Sequence, residues 1–91
     1  MFSKLKQFKD LRDQAKKMQN VLAGESVTNE KSGIKMTMNG NMEVTSLTIS
    51  EDTSREKIAS IMTDLTNSTI KDIQKIMAKK MQEMGGIPGL N

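Results

Sequence analysis

Two rows of cations are the residues of this chain whose types and spacing could do chemistry. Lys9, Arg12 and Lys16 stand at i, i+3 and i+7 with Lys6 and Lys17 beside them, and Lys71, Lys75 and Lys79 stand at i, i+4 and i+8. On a helix each set makes a ridge whose neighbours lie about 5–6 Å apart. Both ridges are predicted to face away from the apolar side of their helices. Such a pitch suits a polyanion, because duplex nucleic acid presents about one negative charge per 1.7 Å of axis. Neither ridge has the Asn/Gln-plus-Arg cluster at a helix start that reads base edges. Binding is therefore predicted to run through phosphates with little sequence selectivity. A solvated helix face accounts for each ridge taken alone, with Asp13 and Asp72 neutralising part of it at a few tenths of a kcal/mol per pair. Two ridges in one small chain shift the balance toward a polyanionic partner.

Other chemistries are poorly served. The chain has no Cys and no His, which removes disulfides, thiolate metal sites, the commonest zinc ligand and the commonest general base. Glu51 and Asp52 are adjacent and point apart in extended chain; they more simply favour the start of a following helix. No phosphate-binding glycine loop, zinc-protease helix or nucleophile elbow is present. The chain is predicted not to be an enzyme, with no metal, no cofactor and no small-molecule substrate. Phe2 and Phe8 are its only aromatics, so single-stranded bases have no stacking platform. No run of about 18 apolar residues exists, and the first nine residues are too charged for a signal peptide. A cytoplasmic protein without a membrane partner is expected.

Charge is divided along the 91-residue chain. Residues 1–23 hold six Lys/Arg against two acids, net +4; residues 24–53 hold two against five, net −3; residues 54–91 hold six against four, net +2. A chain of this size buries only about 60–65% of its unfolded surface, so oligomerisation is a common source of added stability.

The elements that must carry the ridges can be read from periodicity. Phe2, Leu5, Phe8, Leu11, Ala15, Met18 and Leu22 recur every three or four residues, which predicts an amphipathic helix over about 3–22, capped by Ser3 and stopped by Gly24. Ile34, Met36 and Met38 alternate with Lys35, Thr37 and Asn39, which predicts a strand with one buried face. Asn39-Gly40 then signals a hairpin, and the return strand through Met42, Val44, Leu47 and Ile49 slips its alternation, which predicts a bulge near Thr45-Ser46. A weaker strand over about 26–31 suits a sheet edge.

Thr53-Ser54-Arg55-Glu56 fits a capping box opening a helix that runs to about Met84. About 30 residues span roughly 45 Å, twice the roughly 23 Å of a seven-residue strand. Half of this rod is therefore predicted to overhang its sheet. Its apolar residues are predicted to split into two directions: Ile58, Ile61, Met62, Leu65 and Thr69 toward the sheet, then Ile70, Ile73, Met77, Met81 and Met84 roughly 90° further round. A second copy of the chain is the expected cover for the latter, with Ile70, Ile73, Met77 and Met81 as the dimer interface. Residues 1–84 are predicted to form one domain and residues 85–91 a flexible Gly/Pro tail.

Gln14-Ala15-Lys16-Lys17-Met18-Gln19, then Gly33-Ile34-Lys35-Met36-Thr37-Met38-Asn39-Gly40, then Gly86-Ile87-Pro88-Gly89-Leu90 occur in this order. Together they resemble the YbaB/EbfC family of bacterial nucleoid-associated proteins over nearly the whole chain. The resemblance implies an α+β, α-β-β-β-α protomer with a three-stranded antiparallel sheet and long terminal helices, in an intertwined homodimer. It further implies binding to double-stranded DNA and a nucleoid role in DNA organisation or gene expression. The site residues then implied are the basic positions of both helices: Lys6, Lys9, Arg12, Lys16, Lys17, Lys71, Lys75 and Lys79. The chain departs from the family's small, Ala-rich stretch around an Asn in the last helix, which here reads Thr66-Asn67-Ser68-Thr69. Two rivals stand beside this reading: a dimeric scaffold that recruits a protein through its Met-rich helix end and tail, and a peripheral membrane binder using the first helix.

Overall fold

A computed structural model describes residues 2–85 of the chain. The elements run α1 (Phe2–Ala23), β1 (Ser26–Lys31), β2 (Ile34–Asn39), β3 (Val44–Ile49) and α2 (Arg55–Glu83). This is the α-β-β-β-α order of an α+β fold. The strands form one antiparallel sheet in the order β1-β2-β3. Residues 86–91, and with them all of the expected tail except Gly85, lie outside the described residues.

The alternation of β2 places it at the centre. Ile34, Met36 and Met38 are buried, while Lys35 points to the other face. β3 pairs with Ile49 opposite Ile34 and Leu47 opposite Met36, then shifts register so that Val44 faces Met38. Thr45 is the extra residue, which is the bulge the slipped alternation predicts. It keeps Val44 on the apolar face. Thr28, Thr37 and Ser46 line the opposite, polar face, and Thr28 and Thr37 share a 2.8 Å hydroxyl hydrogen bond.

α2 covers the sheet on its apolar side. Its buried residues are Ile61, Leu65, Thr69 and Ile73, which join Ile34, Met36 and Met38 in the core. The expected split of this helix into two faces does not occur: Ile73 is fully buried in its own chain's core, and Ile70 and Ile76 pack against the same cluster. Residues spaced by four advance 400° and so drift by about 40° per step. A twisted sheet accepts that drift as one spiralling stripe. Polar contacts follow the helix along β1: Lys31 to Asp64 at 2.7 Å, Asn29 to Thr69 and Asp72 at 3.2 and 3.0 Å, and Glu25 to Lys80 at 3.1 Å. The helix therefore stays beside the sheet as far as Lys80, and the expected half-length overhang is absent.

Two turns differ from expectation. The two-residue hairpin is Ser32-Gly33 between β1 and β2, where both residues have positive φ (50° and 88°) as a type I′ turn requires. Asn39-Gly40 instead opens a longer β2–β3 connection in which Met42 takes the left-handed conformation (φ 59°). Asn39 organises that loop, its Oδ1 accepting from the amides of Asn41 and Glu43 at 2.9 and 3.1 Å. Nor does the capping box form. Ser54 is the N-cap of α2 and makes no side-chain cap bond; its hydroxyl donates to Glu56 at 2.8 Å. Thr53 turns its buried, unpartnered Oγ1 toward Gly33 instead.

α1 is held only at its end. Leu22 is buried, and its carbonyl accepts the amides of Glu25 at 3.0 Å and Gly40 at 2.9 Å. Gly40 also donates to Glu25, at 3.0 Å. No side chain fits there, since a Cβ on Gly40 would lie 2.3 Å from the Leu22 oxygen. The helix begins at Phe2, before the expected cap at Ser3. Lys4 to Lys17 are exposed throughout, and the molecule extends 61 × 21 × 18 Å. α1 is thus an arm of about 33 Å anchored at one end.

Candidate nucleic-acid interface

The arm presents its cations because nothing packs on it. Lys6, Lys9, Arg12, Lys16 and Lys17 are exposed, and none of them makes an ion pair. At 100° per residue, Lys6 and Lys17 fall about 160–180° from Phe8, on the far side of the arm. Arg12 is one turn from Phe8 at i+4, so the Lys9–Arg12–Lys16 ridge borders the apolar stripe rather than opposing it. Asp10 and Asp13, both exposed, fall on that far side as well, so Lys6 and Lys17 share it with two acids and the flank of Lys9, Arg12 and Lys16 is the more basic surface of the arm.

On α2, Lys71, Lys75 and Lys79 are likewise exposed and outside any ion pair. Lys71 lies about 160° from the buried Ile73, so this ridge does point away from the sheet. Among the described residues the cations in ion pairs are Lys31 and Lys80. Lys80 is held by Glu25 and Glu83, and the hydrogen bond and charge of Glu25, reinforced by Glu83, push its ammonium above the usual lysine range. It acts as a structural tie, which separates it from its neighbour Lys79. At the start of α2 the Ser54 hydroxyl and a backbone hydrogen bond hold the Glu56 carboxyl below its ordinary value.

The residues expected at a dimer interface are dispersed. Ile73 is unavailable; Ile70 is half-buried against the core; Met77 and Met81 are half-buried further along the helix. The larger free apolar surface is elsewhere. Val44, Leu47 and Ile49 share the apolar face with β2, yet each is 45–49% exposed because α2 sits over β1 and β2. A helix about 10 Å wide does not cover three strands spaced about 4.8 Å apart, a mismatch that strand count alone could have revealed. Leu5, Phe8 and Leu11 on the arm are 71%, 72% and 58% exposed.

The polar Thr66-Asn67-Ser68-Thr69 stretch is built into the packing. Thr69 is fully buried, donates to the Leu65 carbonyl at 2.7 Å and accepts from Asn29. No helix among the described residues is long and apolar enough to cross a membrane. In comparison with known proteins, the YbaB/EbfC DNA-binding family matches residues 1–88 of the chain. No curated protein matches it.

Proposed function

The chain belongs to the YbaB/EbfC DNA-binding family, and from that premise we propose that it binds double-stranded DNA as a homodimer, through phosphates, as a nucleoid-associated protein of the bacterial cytoplasm. Lys6, Lys9, Arg12, Lys16 and Lys17 of α1 and Lys71, Lys75 and Lys79 of α2 are the phosphate contacts. The observation that carries this reading is the arm itself: its cations are exposed and unpaired on a helix that, among the described residues, is tied to the rest of the fold through its last turn, at Leu22 and at the Gln19 carbonyl, which accepts from Asn41. A rigid row of charges contributes electrostatic attraction without the side chains having first to break internal ion pairs. Dimerisation doubles the rows, so two of them can engage one duplex. In the cell such binding would organise DNA or modulate expression rather than select one operator.

A gel-shift titration on random-sequence duplex at increasing salt tests the mechanism. With about six phosphates neutralised, log K falls against log salt with a slope near −5. A flat response refutes electrostatic binding, and a strong preference for one sequence refutes the phosphate-only contact.

A further inference from the structure

Among the described residues, two apolar surfaces are left largely uncovered. One is the β3 part of the sheet's apolar face, where Val44, Leu47 and Ile49 stand beside buried β2 residues and remain half exposed. The other is the arm's stripe of Leu5, Phe8 and Leu11. We propose that in the homodimer these surfaces cover each other: the stripe of one copy's α1 lies across β3 of the second copy, beside that copy's α2, and the exchange is reciprocal. The inference rests on the homodimer reading above and names the contact that makes it.

α1 cannot cover this face of its own chain. α1 is continuous from Phe2 to Ala23, and its last turn is pinned by the Leu22 carbonyl to Gly40 and Glu25. Laying the arm over its own β3 would require breaking that anchor or the helix. A second copy needs neither. The dimensions agree as well: the stripe from Leu5 to Met18 spans about 20 Å, as does a six-residue strand. The uncovered width is that of one strand at the sheet edge, and the arm is a single helix.

Charge decides between exchange and self-pairing. The segment that contains the arm carries net +4. β3 is bracketed by Glu43 at one end and Glu51 and Asp52 at the other, all exposed. Pairing arm with arm sets like charges together, and pairing β3 with β3 does the same for the acids. Arm on β3 brings opposite signs together. Arg12, which borders the stripe, falls at the rim of this contact. Lys6 and Lys17 stay on the outer side, free for phosphate.

The chain's lack of cysteine makes the test direct. Phe8→Cys, Leu47→Cys and the double variant are treated with a short bismaleimide, while sedimentation records the oligomeric state. A dimer in which only the double variant yields a cross-linked dimer band supports the exchange. A dimer that cross-links through Phe8→Cys alone shows arm-on-arm pairing, and one that cross-links through Leu47→Cys alone shows β3-on-β3 pairing. A dimer with no cross-link between copies in any variant, including one where the double variant links only within a chain, places the interface elsewhere. Each of these overturns the inference while leaving the homodimer standing. A monomer at all concentrations overturns the homodimer and the exchange together. Phe8→Asp gives a second, independent readout: the dimer dissociation constant rises about 1,000-fold, because the reciprocal contact loses two buried aromatic side chains at about 30-fold each. An unchanged constant contradicts the exchange.

Discussion

Gly40→Ala tests the anchor of the arm. The backbone conformation permits alanine, because Gly40 is not among the residues with positive φ. The substitution even restricts the unfolded chain, a gain of about 0.4–1 kcal/mol. Against it stands sterics: the new Cβ would lie 2.3 Å from the Leu22 carbonyl oxygen and 2.9 Å from its C and Cα, all backbone atoms of a buried turn. Overpacking of this kind costs about 1–3 kcal/mol, and losing the Gly40–Leu22 hydrogen bond adds about 1 kcal/mol. The net expectation is a loss of about 2 kcal/mol from a domain whose total is roughly 5–14 kcal/mol. Thermal unfolding at fixed protein concentration should then fall by roughly 8–16 °C, and the Gly40 and Glu25 amides should exchange faster. Gly24→Ala is the control. Its Cβ would meet only the Val21 oxygen at 3.4 Å, an ordinary contact, so it should change little. A Gly40→Ala protein that melts within 2 °C of the parent, with both amides still protected, refutes the tight approach of α1 to the hairpin loop.

Three further outcomes are expected. Lys6, Lys9 and Lys17 replaced together by Gln should weaken binding to all duplex sequences alike and reduce the salt slope by about 2.7, read by gel shift. Thr69→Val should cost only about 1 kcal/mol, since Asn29 keeps Asp72 as a partner; Ile73→Ala should cost about 2–5 kcal/mol, and denaturant titration ranks the two. Lys80 has a folded pKa raised above 10.5, so its contribution is full below that pH and lost as pH climbs through the folded value. The melting difference between the parent and Lys80→Gln should be constant near neutrality and shrink above pH 10.5.

Much of the fold was legible because β2 and its neighbours obey one period without interference. Ile34, Met36 and Met38 alternate cleanly, and the slip between Val44 and Leu47 announces the bulge at Thr45. The hairpin was misread because Gly40 answers to a different demand, the close approach of Leu22 rather than a left-handed turn. Ser32-Gly33 supplies the tight turn instead, in a strand pair that sequence marks only weakly. The two-faced reading of α2 failed because a helical wheel is straight while a sheet is twisted, so Ile73 follows Thr69 into the core. Of the cations, the eight that type and spacing single out are all exposed. Their spacing could not say that Lys80 is tied to Glu25, an acid 55 positions away in the chain.

The polar contacts between α2 and β1 have a consequence for how the fold selects itself. Ile61, Leu65, Thr69 and Ile73 repeat every four residues, so sliding the helix by one turn would set a similar row of side chains over the same strands. The apolar contact is nearly degenerate under that shift of about 5.4 Å. Lys31 with Asp64, Asn29 with Thr69 and Asp72, and Glu25 with Lys80 are not: one turn of slippage mismatches all of them at once. Hydrogen bonds and ion pairs of this kind add little to stability one by one, but together they serve as a ruler, leaving the hydrophobic layer to supply the adhesion and the polar edge to fix its alignment.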